Sequence, residues 1–274
     1  MPRIDSLICY PVKGCGGVAL NEARMEPTGV RHDRAFMIVD EAGVFRSQRH
    51  LPPLAKIRPE ITEAGDRLVL SAEGRGAVAI DVDTAGPRRR VDLFGTAYTG
   101  IDQGAGAATW LSAMLGAPSR LVRMPPEHER GTGGLTPGTS GYADSCAVLA
   151  LSLASLHELN RRIAEHGRAT VPMSRFRPNI VFDGGDPHIE DRIRLAAFGD
   201  AELGYAKPAI RCAVTTVDQA TGAKAGPEPL ATLARYRRAP EGGVAFGAKF
   251  AVVRPGKISV GDAVSVADWG APEV

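Results

Sequence analysis

The chain has 274 residues, 44% of them apolar, and a formal net charge of +2. That length suffices for one large domain or two ordinary ones, and so small a net charge gives no reason to expect a nucleic acid or a charged membrane surface as partner. No secretory leader opens the sequence and no run approaches the ~20 apolar residues needed to span a bilayer, so a cytosolic (cytoplasmic) protein without membrane contact is expected.

Short apolar runs over 4–9 and 35–39 read as strands, with Asp40-Glu41-Ala42-Gly43 as the turn that follows the second. Further strands are expected near 67–71, 77–82 and 90–94, punctuated by Gly and Pro as in small barrels and sandwiches. A helix is expected around 106–115, closed by Gly116. Leu121-Val122 suggests a strand, 125–143 a Pro/Gly-rich loop, and 147–151 another strand. Leu153, Leu156, Leu159 and Ile163 then recur at helical spacing, with Ser152 as N-cap and Gly167 as stop. Residues 179–183, 211–217, 244–253 and 257–266 read as strands, and Pro229 opens a short helix through Tyr236. The pattern predicts an α+β, β-rich fold, with a β-dominated domain over 1–95 and a mixed domain over 96–274.

Most motif chemistry is missing. The cysteines at 9, 15, 146 and 212 have neither CxxC spacing nor nearby His partners, so no zinc or iron–sulfur motif is present. None of the six His residues forms HExxH, and no GxSxG marks a nucleophile. Gly133 and Gly138 have phosphate-loop separation, but Thr139 stands where the lysine belongs, and a surface loop explains the segment.

Two segments keep a chemical reading open. In Ala209-Ile-Arg-Cys-Ala-Val-Thr-Thr-Val-Asp218, Arg211 adjoins Cys212, and a nearby cation favours the thiolate that a metal ligand or nucleophile needs. In a strand, however, successive side chains point to opposite faces, and a free Cys is often a small core hydrophobe. In Arg175-Phe-Arg-Pro-Asn-Ile180, Arg177 offers a fork for phosphate and Asn179 both donors and an acceptor. A surface ion pair and a turn residue explain those two equally well.

Together with Tyr10-Pro-Val-Lys-Gly-Cys-Gly-Gly-Val18, Arg31-His-Asp-Arg-Ala-Phe36, Phe45-Arg-Ser-Gln-Arg49, Tyr142-Ala-Asp-Ser145, Arg211 to Gly222, Glu228 to Arg237 and Lys257 to Val264, these segments resemble the MOSC family, in particular its amidoxime-reducing branch. The resemblance runs through nearly the whole chain. It implies an N-terminal β-barrel domain followed by a MOSC domain that is itself built on a barrel. It further implies a molybdenum cofactor (molybdopterin) whose metal is held by Cys212, a soft ligand suited to it. By motif position, Lys13, Arg34, Arg177 and Asn179 are expected near the cofactor. Asp144 and Ser145 are expected near its phosphate or the metal, with Asp144 taking part in catalysis, and Arg211, Thr215 and Thr216 flank the ligand. Gly14 stands where many relatives carry Ser. The implied activity is reduction of N-hydroxylated small molecules (amidoximes, hydroxylamines, N-hydroxylated bases). No second redox centre is visible, so the electrons are expected from a separate protein. The alternatives are a non-catalytic cofactor carrier or sulfur-transfer module, and a metal-free binding protein with a structural Cys212.

Overall fold

A computed structural model describes all residues, 1–274. The protein is β-rich, with 41% strand and 17% helix. Its largest sheet has eight strands in the order Val264–Trp269, Ile193–Phe198, Ala201–Arg211, Val244–Arg254, Val148–Ser152, Ile180–Asp183, Arg3–Cys9, Val18–Leu20. A five-stranded sheet runs Arg88–Leu93, Thr96–Asp102, Arg120–Arg123, Phe36–Val39, Val12–Lys13. The end strands of these sheets do not pair with each other, so the sheets stay open where the family resemblance implies closed barrels.

The core is divided accordingly. Ile4, Leu7, Phe182, Phe198, Leu203, Tyr205 and Phe250 are buried on the large sheet. A second cluster joins Val12, Phe36, Ile38, Leu54 and Ile57 to Leu111 and Leu115 of helix α1 (Gly104–Leu115). The expected division after residue 95 falls in the turn of a hairpin whose strands pair from Arg88↔Ile101 to Leu93↔Thr96. The N-terminal packing unit therefore continues through α1 to the strand Arg120–Arg123, which pairs with Phe36–Val39. In the other direction, Arg3–Cys9 pairs with Ile180–Asp183 and Glu22–Glu26 with Gly256–Ser259, so both ends of the chain stitch the halves together.

The helices follow the sequence closely. Helix α2 (Leu153–Glu165) begins at Ser152, whose side chain accepts from the Ser155 N–H, and buries Leu156, Leu159 and Ile163. Gly167 follows it at φ +67, a conformation glycine adopts without strain. Helix α3 (Leu230–Tyr236) is short and buries Leu233.

The strand expectations need correction in four places, and the strands Glu22–Glu26, Arg58–Ile61 and Thr96–Asp102 also went unforeseen. The expected strand 211–217 ends at Arg211, and Ala213–Thr216 is a 3-10 turn. The β-branched run Val214-Thr215-Thr216 suggested a strand, but the Thr215 hydroxyl donates to the Cys212 carbonyl at 2.9 Å and the Thr216 hydroxyl to the Ala213 carbonyl at 2.8 Å. Such side-chain bonds compete with a ladder and fold the chain back. The expected strand 257–266 is two, Gly256–Ser259 and Val264–Trp269, because Gly261 turns at φ +91 and the Ser259 N–H donates to Asp262. The loop 125–143 contains a small hairpin pairing Gly131↔Thr139 and Thr132↔Gly138. Strands Ile193–Phe198 and Ala201–Arg211 were not expected. Pro208 disguises the second, and the sheet tolerates it because pairing with Ile193–Phe198 stops at Gly204, leaving that side of Pro208 without a ladder partner.

Candidate functional site

The strand Ala201–Arg211, the turn at Cys212, the segment Ala143–Leu149 and the N-terminal unit around Lys13 and Gln48 meet at one cleft. Its cavity volume is about 120 Å³, and it opens to solvent. Cys212 and Cys146 both line it, Cys212 partly exposed and Cys146 buried, while Cys9 and Cys15 are buried away from it. Leaving the strand at Arg211 lets Arg211 and Cys212 line the same cavity, which regular strand alternation forbids. Burial pushes the Cys15 thiol up to about 12, so it stays neutral and packs. Arg175, from the segment before Asn179, secures the turn by donating to the Thr215 carbonyl at 3.2 Å.

Six cationic side chains line the cleft, Lys13, Arg34, Arg49, Arg177, Arg211 and Lys249, against the single carboxylate of Asp144. Lys13 is almost wholly buried and pairs with Asp144, whose side chain is exposed into the cleft. Desolvation by the surrounding cleft walls works against the Asp144 carboxylate, but Lys13, then Lys249 and Arg34, outweigh it and hold the acid well below the usual carboxylate range. Burial in turn draws Lys13 and Lys249 below the ordinary lysine value, against the pull of Asp144. The Cys212 side chain holds Arg49, which lines the same cleft, above its ordinary value.

The other cations are held from behind. Arg34 and Arg177 stack on Tyr10, their guanidinium carbons 4.4 and 4.3 Å from the ring centroid. Both have positive φ, +47 and +57, a cost of order 1–3 kcal/mol each that the surroundings must impose. Arg34 contacts Asp33 and donates to the Asn179 amide oxygen at 3.0 Å. Arg177 donates to Gln219 at 3.0 Å and has no carboxylate partner. Arg211 donates to the Phe176 carbonyl at 2.7 Å, while its buried Nε finds no protein acceptor.

Residues 1–118 match the MOSC N-terminal beta barrel domain, and residues 137–265 match the MOSC domain. The chain belongs to the MOSC family. This MOSC chain is 34% identical to mitochondrial amidoxime-reducing component 1 of Mus musculus, over 95% of this chain and 81% of the relative. The Homo sapiens protein of the same name is 33% identical over 95% and 82%. It is also 30% identical to the molybdenum cofactor sulfurase of Danio rerio, across 89% of this chain and 31% of that protein.

Of the residues singled out in the sequence of this MOSC chain, the structure gathers Lys13, Arg34, Asp144, Ser145, Arg177, Asn179, Arg211, Cys212 and Thr215 around the cleft. Thr216 is outside it, its hydroxyl engaged by the Ala213 carbonyl. Asn179 is buried, and its amide joins Ile8, Leu149 and Arg34, so it braces the wall. Gly14 has φ +82, a left-handed turn that favours glycine over Ser, and its carbonyl accepts from Gln48 at 2.6 Å. Sequence reasoning passed over Gln48, Arg49, Gln219 and Lys249. The Gln48 and Gln219 amides donate to each other at 3.1 and 2.9 Å across the two halves, and Lys249 donates to Ser145 at 2.6 Å. Three of these lie inside the recognised motifs, and Lys249 betrays itself as the only charge in the run Val244 to Val253.

Proposed function

We propose that this MOSC chain binds a molybdenum cofactor, with the Cys212 thiolate as protein ligand to the metal. We further propose that it reduces N-hydroxylated small molecules with electrons from a separate redox protein. The observation that carries this reading is a sulfur at the wall of a cleft with six cations and one carboxylate. A pterin dithiolene bearing phosphate is polyanionic, and the residues present fit it. Arg177 lacks a carboxylate partner and the Arg211 Nε lacks any acceptor, so an anion would satisfy both. A soft thiolate completes the donor set. The mitochondrial relatives, named for amidoxime reduction, support the reaction class.

When bound, the cofactor supplies the two-electron chemistry, and the chain's residues arrange it. Lys13, Arg34, Arg177 and Arg211 would hold its anionic groups. Asp144, kept ionised by Lys13, accepts hydrogen bonds from the N–H and O–H groups of an amidoxime and so orients its N–O bond. Lys13 Nζ and Lys249 Nζ hold protons at the cleft wall, and the reduction consumes protons as water leaves. Ser145, held by Lys249, adds a hydroxyl beside Asp144.

The decisive experiment is molybdenum per chain in wild type and Cys212→Ala, purified side by side from a host that makes the cofactor. Near-stoichiometric metal in wild type, falling by about ten-fold or more in the variant, is expected. A variant that keeps both its molybdenum and its turnover would sink the assignment. The sulfurase relatives support a second reading, a cofactor carrier or sulfur-transfer module, since the chain matches 31% of such a protein. Stoichiometric cofactor without turnover of any N-hydroxylated compound, given a competent reductant, favours that reading.

A further inference from the structure

The turn between Arg88–Leu93 and Thr96–Asp102 is two residues long, Phe94-Gly95, with φ +58 and +83. Positive φ at both central positions marks the type I′ hairpin, which strongly prefers Asn-Gly or Asp-Gly. Gly95 meets that preference, and its N–H donates to Asp92 at 2.8 Å. Phe94 does not, since a bulky residue in the left-handed region is strained. Nor does the ring relieve the strain by entering the core, because it is 47% exposed. A strained, solvent-facing Phe in a turn that wants Asn is an outlier that calls for a role outside the turn.

The ring lines the cleft that Cys212 lines. It meets Phe45 edge-to-face with centroids 5.5 Å apart, and Phe45 is itself pinned beside the hairpin by its N–H bond to the Asp92 carbonyl at 3.0 Å. Lys13 Nζ lies 5.0 Å from the Phe45 centroid and 5.1 Å from that of Phe94, and Arg49 lies 5.5 Å from the latter. Thus Lys13, which pairs with Asp144, also lies over both rings, and Arg49 covers Phe94. Ile210, 40% exposed, and Val214 add apolar surface to the same cleft. A site built for anions alone has no use for exposed apolar surface of this kind.

We infer that Phe94, braced by Phe45, is a stacking shelf that selects planar, conjugated N-hydroxylated substrates over compact aliphatic ones. This rests on the reduction reading above. The shelf receives the flat body of the substrate while its N–O group reaches toward Asp144 and Cys212. Selectivity then comes from binding at a part of the molecule remote from the reacting bond.

The test is Phe94→Asn, which suits the turn better than Phe and so keeps the fold. Molybdenum content is measured first. Turnover of benzamidoxime and acetamidoxime is then followed with dithionite-reduced methyl viologen as electron source. Wild type is expected to favour benzamidoxime in kcat/KM, mainly through KM. In Phe94→Asn that preference falls about five- to twenty-fold, with Tm equal to or above wild type, while Phe94→Tyr retains it. An unchanged preference in Phe94→Asn overturns the shelf. If molybdenum-replete wild type turns over neither compound, the reduction reading fails and the shelf is judged by saturation-transfer NMR with benzamidoxime. Saturation transfer to the phenyl protons that disappears in Phe94→Asn upholds it, and transfer that persists in the variant overturns it.

Discussion

Two clusters of charge in this molecule are built on opposite plans. Beneath α2 and α3, Glu190, Asp191 and Arg237 are buried together, with Arg237 in contact with Asp191. Glu190 accepts from the Ser155 hydroxyl at 2.9 Å and the Ser152 N–H at 3.4 Å, and the His188 N–H reaches the Ser155 hydroxyl at 2.8 Å. The one cation there has its carboxylate, and Glu190 is met by hydroxyl and N–H donors instead of a second cation. In the cleft, six cations face one carboxylate, and Arg177 and Arg211 lean on carbonyl oxygens of amides. Density of charge therefore does not distinguish a binding site from a structural network. A surplus of cations without carboxylates does, because a charge kept without its counter-ion costs stability unless something else uses it.

The largest effect expected from this contrast is at Arg237. Arg237→Leu leaves the Asp191 carboxylate buried without its cation and should cost about 3–5 kcal/mol in urea unfolding, with molybdenum per folded chain unchanged. A metal loss as large as that of Cys212→Ala would show that the network serves the cleft.

Next comes Glu190→Gln. Burial, then Asp191, raises Glu190 from 4.5 to about 7. Between those values the folded state keeps a proton that the unfolded chain releases, so this group's stability contribution falls as pH rises through the window. Removing the carboxyl should stabilise the protein at pH 8 by on the order of 1–3 kcal/mol. His188 acts the other way: burial, then Arg237, lowers it to about 4, so its contribution is lost as pH falls below 6.5. With Glu190 gone, stability followed by thermal melts should climb with pH from about 4 to 6.5. A variant that melts lower than wild type at pH 8 would contradict the raised Glu190.

In the cleft, Arg177→Leu removes a cation that has no carboxylate partner. Loss of its stacking on Tyr10 should cost about 1–2 kcal/mol, less than in Arg237→Leu, whereas molybdenum retained through gel filtration should fall about ten-fold. Unfolding comparable to that of Arg237→Leu would erase the distinction between the two regions. The smallest effect is Ser152→Ala, which removes the α2 cap and should cost about 1 kcal/mol while leaving the metal content alone.

Much of this was legible in the sequence wherever local rules act alone. The α2 stripe and its Ser152 cap, the α1 stop at Gly116 and the apolar strands expected over 4–9, 35–39 and 147–151 depend on neighbours a few residues away, and they stand within a residue of where the local pattern puts them. The motifs likewise identified the family. Only the tertiary structure decided which charges meet. Lys13 and Asp144 are 131 residues apart, and Gln48 and Gln219 are 171 apart. Adjacent Arg211 and Cys212 share a cavity only because threonine hydroxyls end the strand between a ladder and a turn. Phe94 reads as an ordinary strand-end residue until its positive φ and its place in the cleft are known. The physical reason is range. Hydrophobic periodicity and capping are set within a turn or two of chain, whereas burial, desolvation and ion pairing depend on segments that folding alone brings together.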